Sequence, residues 1–316
     1  MTQKKINILI NREGIVFYTI YPLILNKRKL LDLGYKIDFY FKLSKQLLEC
    51  DILILISKPT QKIINKKRPL KKNNKNLLDY LSKIRLQVKK IIWLDNSDSS
   101  SVTNFEVMPY VDIYLKKQTL INKSLYNSNL YGGRIFTDFY NKEFKITDKK
   151  KYKNNFPLKK KYEKKLRLSW NIGLGNVHNS FSPFYKLLRL FFPLLIIKRF
   201  NNNFIKPEKF REIDIFFRGS IKYDRNTVKF HREKLFEDLK TKLKGLDYVS
   251  VIGSNVFHKN LISSFIKKAE GKLSNNEYLR IQNNAKISFS PFGWGELGAR
   301  DYEIIVGGSL LVKPRM

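Results

Sequence analysis

Short, nearly uncharged runs rich in β-branched and aromatic residues punctuate the first half of the chain: INILI (6–10), KIDFYF (36–41), DILILIS (51–57), KIIWLD (90–95) and VDIYL (111–115). Between them, apolar residues recur at helical spacing, at about 18–33, 42–49 and 74–88. This alternation limits the fold more than any other feature. Strands that are apolar on both faces need cover on both faces, and strand–helix–strand crossovers supply it by laying helices there. The first half therefore predicts a parallel sheet of Rossmann type.

The pattern returns after a break. NKEFKITDKKKYKNNFPLKKKYEKK (141–165) is so rich in lysine that no apolar spacing survives, and it reads as an exposed connection. IDIFFRGS (213–220) opens a second series of strands, continued by DYVSVIGS (247–254), AKISFSP (285–291) and GSLLVKP (308–314), with helices at about 226–243, 274–284 and 299–306. Ser274 and Glu277 have capping-box spacing, which marks the start of the middle helix. The sequence thus predicts an α/β protein of two Rossmann-like domains facing across a cleft. The boundaries are an N-terminal domain over 1–145, a Lys-rich connection over 146–165 and a C-terminal domain over 166–316.

With 316 residues, 43% of them hydrophobic, the chain has material for two cores. Its formal net charge of +35, from 62 Lys and Arg against 27 Asp and Glu, gives a positive surface that attracts phosphates, anionic lipid and acidic polymers. Lysines scattered among asparagines and isoleucines are equally what compositional drift produces. The signatures of RRM, KH and zinc-finger modules are missing, so no specific nucleic-acid partner is expected. Cys50 is the single cysteine, which excludes an intrachain disulfide and a metal site built from cysteine alone. The N-terminal apolar run is too short for a signal peptide, and no stretch approaches the roughly 18 uncharged apolar residues of a span. A cytoplasmic location is expected. FSPFYKLLRLFFPLLIIKRF (181–200) carries Lys186, Arg189, Lys198 and Arg199. It reads either as a helix or loop packed between the domains and broken near Pro193, or as a peripheral contact with the anionic inner face of the membrane.

The densest chemistry is near the end of the chain, in SPFGWGELGARDYEIIVGGSLLVKP (290–314). Gly293, Gly295 and Gly298 follow a strand and precede a helix, the edge at which open α/β sheets bind ligands. Glycine lets backbone approach a ligand, and a helix N-terminus offers oriented N–H groups to a phosphate. A helix beginning near Leu297 would align Glu296, Arg300 and Glu303 at i, i+4 and i+7 on one face. The same spacing also describes an ordinary exposed ion-pair stripe.

This segment resembles the donor-binding segment of GT-B glycosyltransferases, above all the bacterial family 1-like and exostosin-like types. In those an arginine stands three places before a glutamate that opens an E-x4-G element, here Arg300, Glu303 and Gly308. The resemblance implies that Glu303 binds the ribose of a nucleotide-sugar, that Arg300 meets the diphosphate, and that the loop from Gly295 to Gly298 lies against sugar or phosphates. It also implies catalysis by positive charge on the leaving group, from Arg300, helix N–H groups and Lys313, with no metal and no cofactor beyond the donor. Two departures stand out. Glu296 and Glu303 are separated by six residues, where many retaining relatives have seven, and the chain stops soon after GSLLVKP, so the donor domain is expected to be incomplete.

Other candidates are spread along the chain. Arg218, Gly219 and Ser220, where IDIFFRGS ends, match the strand-to-glycine turn that opens GT-B donor domains, and read otherwise as a plain turn. Asp95 and Asp98 in IIWLDNSDSS (91–100) follow a first-half strand. One of them could be a general base for an acceptor hydroxyl, the alternative being an Asx turn or helix cap made by Asp and Ser. Arg134 in YGGRIF (131–136) is a further candidate for the cleft. His178, His231 and His258 lack metal-ligand spacing and read as structural or exposed. The expected activity is hexosyl transfer from a nucleotide-diphosphate-sugar to a hydroxyl of a surface glycan or glycolipid precursor. The rival is a noncatalytic basic module for an acidic polymer, nucleic acid or anionic membrane.

Overall fold

The computed structural model describes residues 3–11, 14–65, 75–149, 155–171, 210–219, 223–242, 248–252, 255–259 and 275–315. Its described residues form two compact units. The first holds those up to 129 and those from 155 to 171, and the second holds 130–149 and those from 210 onward. This division differs from the boundaries at 145 and 166 read from sequence.

In the first unit six strands form one parallel sheet: β1 (Lys4–Leu9), β2 (Tyr35–Tyr40), β3 (Ile52–Ile56), β4 (Lys90–Asp95), β5 (Ile113–Lys116) and β6 (Leu166–Leu168), in the order β2-β1-β3-β4-β5-β6. Consecutive residues Leu53, Ile54, Leu55 and Ile56 are all buried, as are Ile8, Leu9 and Ile10. Because successive side chains point to opposite faces, such runs are covered on both sides. Helices α1 (Gly14–Leu25), α2 (Lys27–Asp32), α3 (Lys45–Leu48), α4 (Ser57–Asn65) and α5 (Lys75–Arg85) lie between these strands in the chain. The single helix expected over 18–33 is two, broken at Asn26, whose side chain donates to the Pro22 carbonyl at 2.8 Å. β6 pairs with β5 through Leu115↔Arg167 and its neighbours, so the residues expected to open the second domain complete the first sheet.

The second unit begins with α6 (Ile135–Phe144) and then takes β7 (Ile213–Gly219), α7 (Asn226–Lys242), β8 (Tyr248–Ile252), β9 (Asn255–Lys259), α8 (Asn275–Asn283), β10 (Ala285–Phe289), α9 (Ala299–Val306) and β11 (Leu310–Val312). The order is β11-β10-β7-β8-β9, parallel except for the antiparallel β8–β9 pair. β9 is absent from the sequence reading, although Gly253-Ser254 separates the two strands by the two residues that a hairpin needs. α6 belongs here because its aromatic side is buried here. Phe136, Tyr140, Val228 and Phe292 form one core cluster, and Phe230 of α7 meets both Tyr140 and Phe144.

A buried ion pair fixes the start of α7. Arg225 Nε donates to Asp148 Oδ2 at 3.0 Å, both side chains being essentially inaccessible, and Asp148 also accepts from the backbone N–H and hydroxyl of Thr227. Gly132 has φ 66°, and a Cβ there would lie 1.9 Å from Arg225 Nη2. The turn in YGGRIF is therefore glycine for two reasons, a left-handed backbone and the close approach of a guanidinium.

Candidate functional site

In the second sheet β7 and β10 are neighbours, yet the chain leaves them toward opposite edges, to β8 from one and to β11 from the other. The carboxyl ends of two such strands flank the switch point where open sheets bind ligands. Residues 290–298 leave β10 at this point and lead into α9.

Three arginines converge on that loop. Arg232, on the second turn of α7 and almost wholly buried, donates from Nε to the Phe292 carbonyl at 2.7 Å and from Nη2 to that of Pro291 at 3.3 Å. Its guanidinium lies 4.8 Å from the centroid of the Tyr223 ring. Burial presses its pKa down to about 10, Tyr223 opposing the shift and the charge of Arg300 adding to it, so Arg232 is still a cation at neutral pH. Arg134 reaches the loop from the turn before α6, donating to the Trp294 carbonyl at 2.9 Å with its charge 5.6 Å from the indole centroid. The side chain of Arg300, half-buried on the first turn of α9, makes no hydrogen bond or ion pair with the described residues. Trp294 is 40% exposed and meets Tyr223 edge to face.

The start of α9 corrects the predicted charge stripe. Gly298 has no side chain with which to cap the helix, so Asp301 reaches back to the Gly298 N–H at 2.8 Å and the helix opens at Ala299. Glu296 therefore lies outside the helix, buried in the loop, and does not share a face with Arg300 and Glu303. Those two remain neighbours, three residues apart, and Glu303 accepts a hydrogen bond from Tyr278 of α8 at 3.1 Å. Lys313 has a carboxylate partner: its ammonium binds Asp301 Oδ1 at 2.8 Å and the Ser290 carbonyl at 3.2 Å, tying β11 to both ends of the loop. Gly293 and Gly295 lie within the loop, where the Gly293 N–H donates to the Gly295 carbonyl at 3.3 Å. Arg218 and Gly219 end β7, paired with Val251 and Ile252, while Ser220 lies outside the described residues. So do Ser274, His178 and the whole 181–200 segment. His258 is a β9 residue paired with Val249.

The two aspartates belong to the first unit, and a catalytic role for Asp95 is corrected by its surroundings. Its side chain is fully buried and receives Lys116 Nζ at 3.1 Å, the Tyr114 hydroxyl at 2.6 Å and the Ser97 N–H at 2.9 Å. Burial alone would raise its pKa, but Lys116 and these hydrogen bonds outweigh it and hold the carboxyl below its usual range. Such a group is an Asx turn and a charge partner, out of reach of an acceptor's proton. Asp98 is part-exposed between Lys58 at 3.1 Å and Lys117 at 3.5 Å. Its burial also opposes ionisation, yet the two ammonium groups pull its pKa down, which makes it a weak base.

Sequence reasoning missed Arg232 and Tyr223. In HREKL nothing singles out the arginine. Only the helical phase that buries Val228, His231 and Arg232 on one side of α7 points it at the loop. His231 beside it is buried, stacked on Tyr140 at 5.0 Å, with its Nε2 3.2 Å from the Phe292 carbonyl. Burial and the neighbouring Arg232 charge press its pKa from 6.5 down to about 3. It folds as a neutral ring and protonates first in the unfolded chain. Stability must then fall as pH drops below 6.5, by at most about 1.4 kcal/mol per pH unit from this residue. Urea midpoints at pH 7 and pH 5 should show a smaller difference in His231→Gln than in the parent; equal differences would remove the histidine from the account.

Among the described residues no group of three or more His, Cys, Asp or Glu is placed to hold a metal ion, and no helix is long and apolar enough to cross a membrane. No family model matches the chain. No curated protein sequence matches it either. Solved structures similar to it include alpha-glucosyltransferase in complex with UDP and a 13-mer DNA containing a HMU base, at 12% identity and TM-score 0.44, covering 99% of this chain and 80% of that one. The same enzyme with UDP alone gives 11% and 0.44 over 98% and 80%. With UDP-glucose and DNA containing an abasic site the figures are 11% and 0.43 over 99% and 80%.

Proposed function

We propose that the chain is a glycosyltransferase that takes a hexose-type residue from a nucleotide-diphosphate-sugar and passes it to a hydroxyl of a surface glycan or glycolipid precursor. The observation that carries the reading is Arg300, a half-buried arginine on the first turn of a helix at a sheet switch point, whose side chain has no hydrogen-bond or ion-pair partner among the described residues and whose charge is felt by the cation Arg232. An arginine forks onto diphosphate oxygens, and the α9 N-terminus adds its partial positive charge. In transfer the bond from the anomeric carbon to the diphosphate oxygen breaks as the acceptor hydroxyl oxygen bonds that carbon, the hydroxyl proton passing to the departing phosphate oxygen, and negative charge grows on the leaving diphosphate before that proton arrives. Preorganised cations are most effective there. Glu303, three residues on, would accept from ribose hydroxyls, and Arg232 and Arg134 hold the glycine loop in place through its carbonyls.

A thermal-shift series with UDP, GDP, CDP and their sugars tests this. One nucleotide diphosphate should raise the melting temperature by several degrees, as ligand linkage requires at concentrations well above Kd, and Arg300→Ala should abolish the shift. Indifference to every nucleotide, together with polyanion binding that collapses with salt, would instead establish the basic binding module.

A further inference from the structure

Beside the loop that the arginines hold, and bordered by His231, Pro291 and Lys313, the second unit contains an open cavity of about 340 Å³. Phe139, Tyr140 and Phe144 of α6 and Phe230 of α7 line it, with Phe289 and Val312 at the ends of β10 and β11. A packed interior leaves few voids larger than a water molecule, so a space of this size is of ligand-pocket scale and is not a packing defect. Aromatic and aliphatic side chains make most of its lining surface, with charged groups among them, and Phe144, on its wall, is 42% exposed.

The charges that line it separate into spent and unspent. Asp238 is paired with Lys242 at 2.8 Å, Lys313 is paired with Asp301 at 2.8 Å, and His231 is neutral. Lys234 and Arg315 are exposed, and their side chains form no hydrogen bond or ion pair with the described residues; the Lys234 ammonium rests 5.3 Å from the centroid of Phe144. Two unspent cations beside an aromatic cavity complement a molecule with an apolar body and a doubly negative head.

We propose that this cavity binds a single apolar chain ending in a phosphate, with the chain among Phe139, Phe144 and Phe230 and the phosphate between Lys234 and Arg315. The site is independent of the glycosyltransferase reading: neither cation belongs to the donor cluster.

Isothermal titration with decyl phosphate, below its critical micelle concentration, tests the site. Binding should be one to one. It should weaken about tenfold for each two methylenes removed from the chain, and inorganic phosphate and 1-decanol should each bind at least tenfold more weakly. The double variant Lys234→Ala/Arg315→Ala alters only exposed side chains, and should lose about tenfold for decyl phosphate while leaving 1-decanol unchanged. Leu235→Trp, placed to fill the cavity, should weaken both. Three results would overturn the site: equal decyl phosphate affinity in parent and double variant, binding confined to anionic vesicles and indifferent to these substitutions, or sedimentation showing a second copy of the chain occupying the cavity.

Discussion

Asp95→Ala is expected to remove about 3–5 kcal/mol of stability, because it leaves the fully buried Lys116 ammonium without its carboxylate. The Lys116→Met variant should lose a comparable amount by stranding the acid, whereas the double variant should lose clearly less than the sum, the two groups sharing one interaction. Urea unfolding of the four proteins measures the coupling. The pH dependence follows the same logic. Asp95 is held below its usual range, so its stabilisation is present above the unfolded value near pH 3.8 and is lost as pH falls through the lower folded value. If Asp95→Asn instead kept full stability and lost only turnover, the aspartate would be catalytic after all.

The second large effect is expected at Arg232. Arg232→Met removes two charge-assisted hydrogen bonds to the Pro291 and Phe292 carbonyls, together with a cation within electrostatic reach of Arg300. On the proposed activity the turnover number should fall by about 10²–10³, the range seen when one preorganised charge-stabilising donor is lost. Arg232→Lys keeps the charge but not the planar fork, and should recover only part. Because Arg232 acts through the loop as well as by its charge, donor KM and kcat should both change. A fall in melting temperature with unchanged kinetics would reduce Arg232 to a packing residue.

The expected helices over 226–243, 274–284 and 299–306 correspond closely to α7, α8 and α9, and every expected strand has a counterpart. These elements were legible because an apolar run covered on both faces, or an apolar stripe of helical period, is a local property of the sequence. What escaped depends on distant partners. β6 is three residues long in a lysine-rich stretch and exists only because β5 offers an edge. α6 looked like the end of the first domain, yet its aromatic residues find their core against α7, nearly a hundred positions later. In the candidate site the glycine loop and the Arg300–Glu303 pair were visible as spacing. The helix start was not, since it turned on whether Asp301 or an earlier residue would cap Gly298. Asp95 and Asp98 show the limit most clearly: the same DNSD stretch suits a base or a buried turn, and only Lys116, Tyr114, Lys58 and Lys117 decide between them.

The interleaved ownership of the chain, in which 130–149 go with the later unit and β6 returns to the earlier one, constrains how the protein is made. No single cut of the gene yields either half intact: a fragment ending at 129 lacks its outermost strand, and one starting at 210 lacks the aromatic helix that covers Phe230 and Phe292. On the ribosome α6 must emerge and wait, its greasy side unmatched, until α7 has been synthesised. Chaperone dependence and aggregation during expression should therefore track the delay between those two helices.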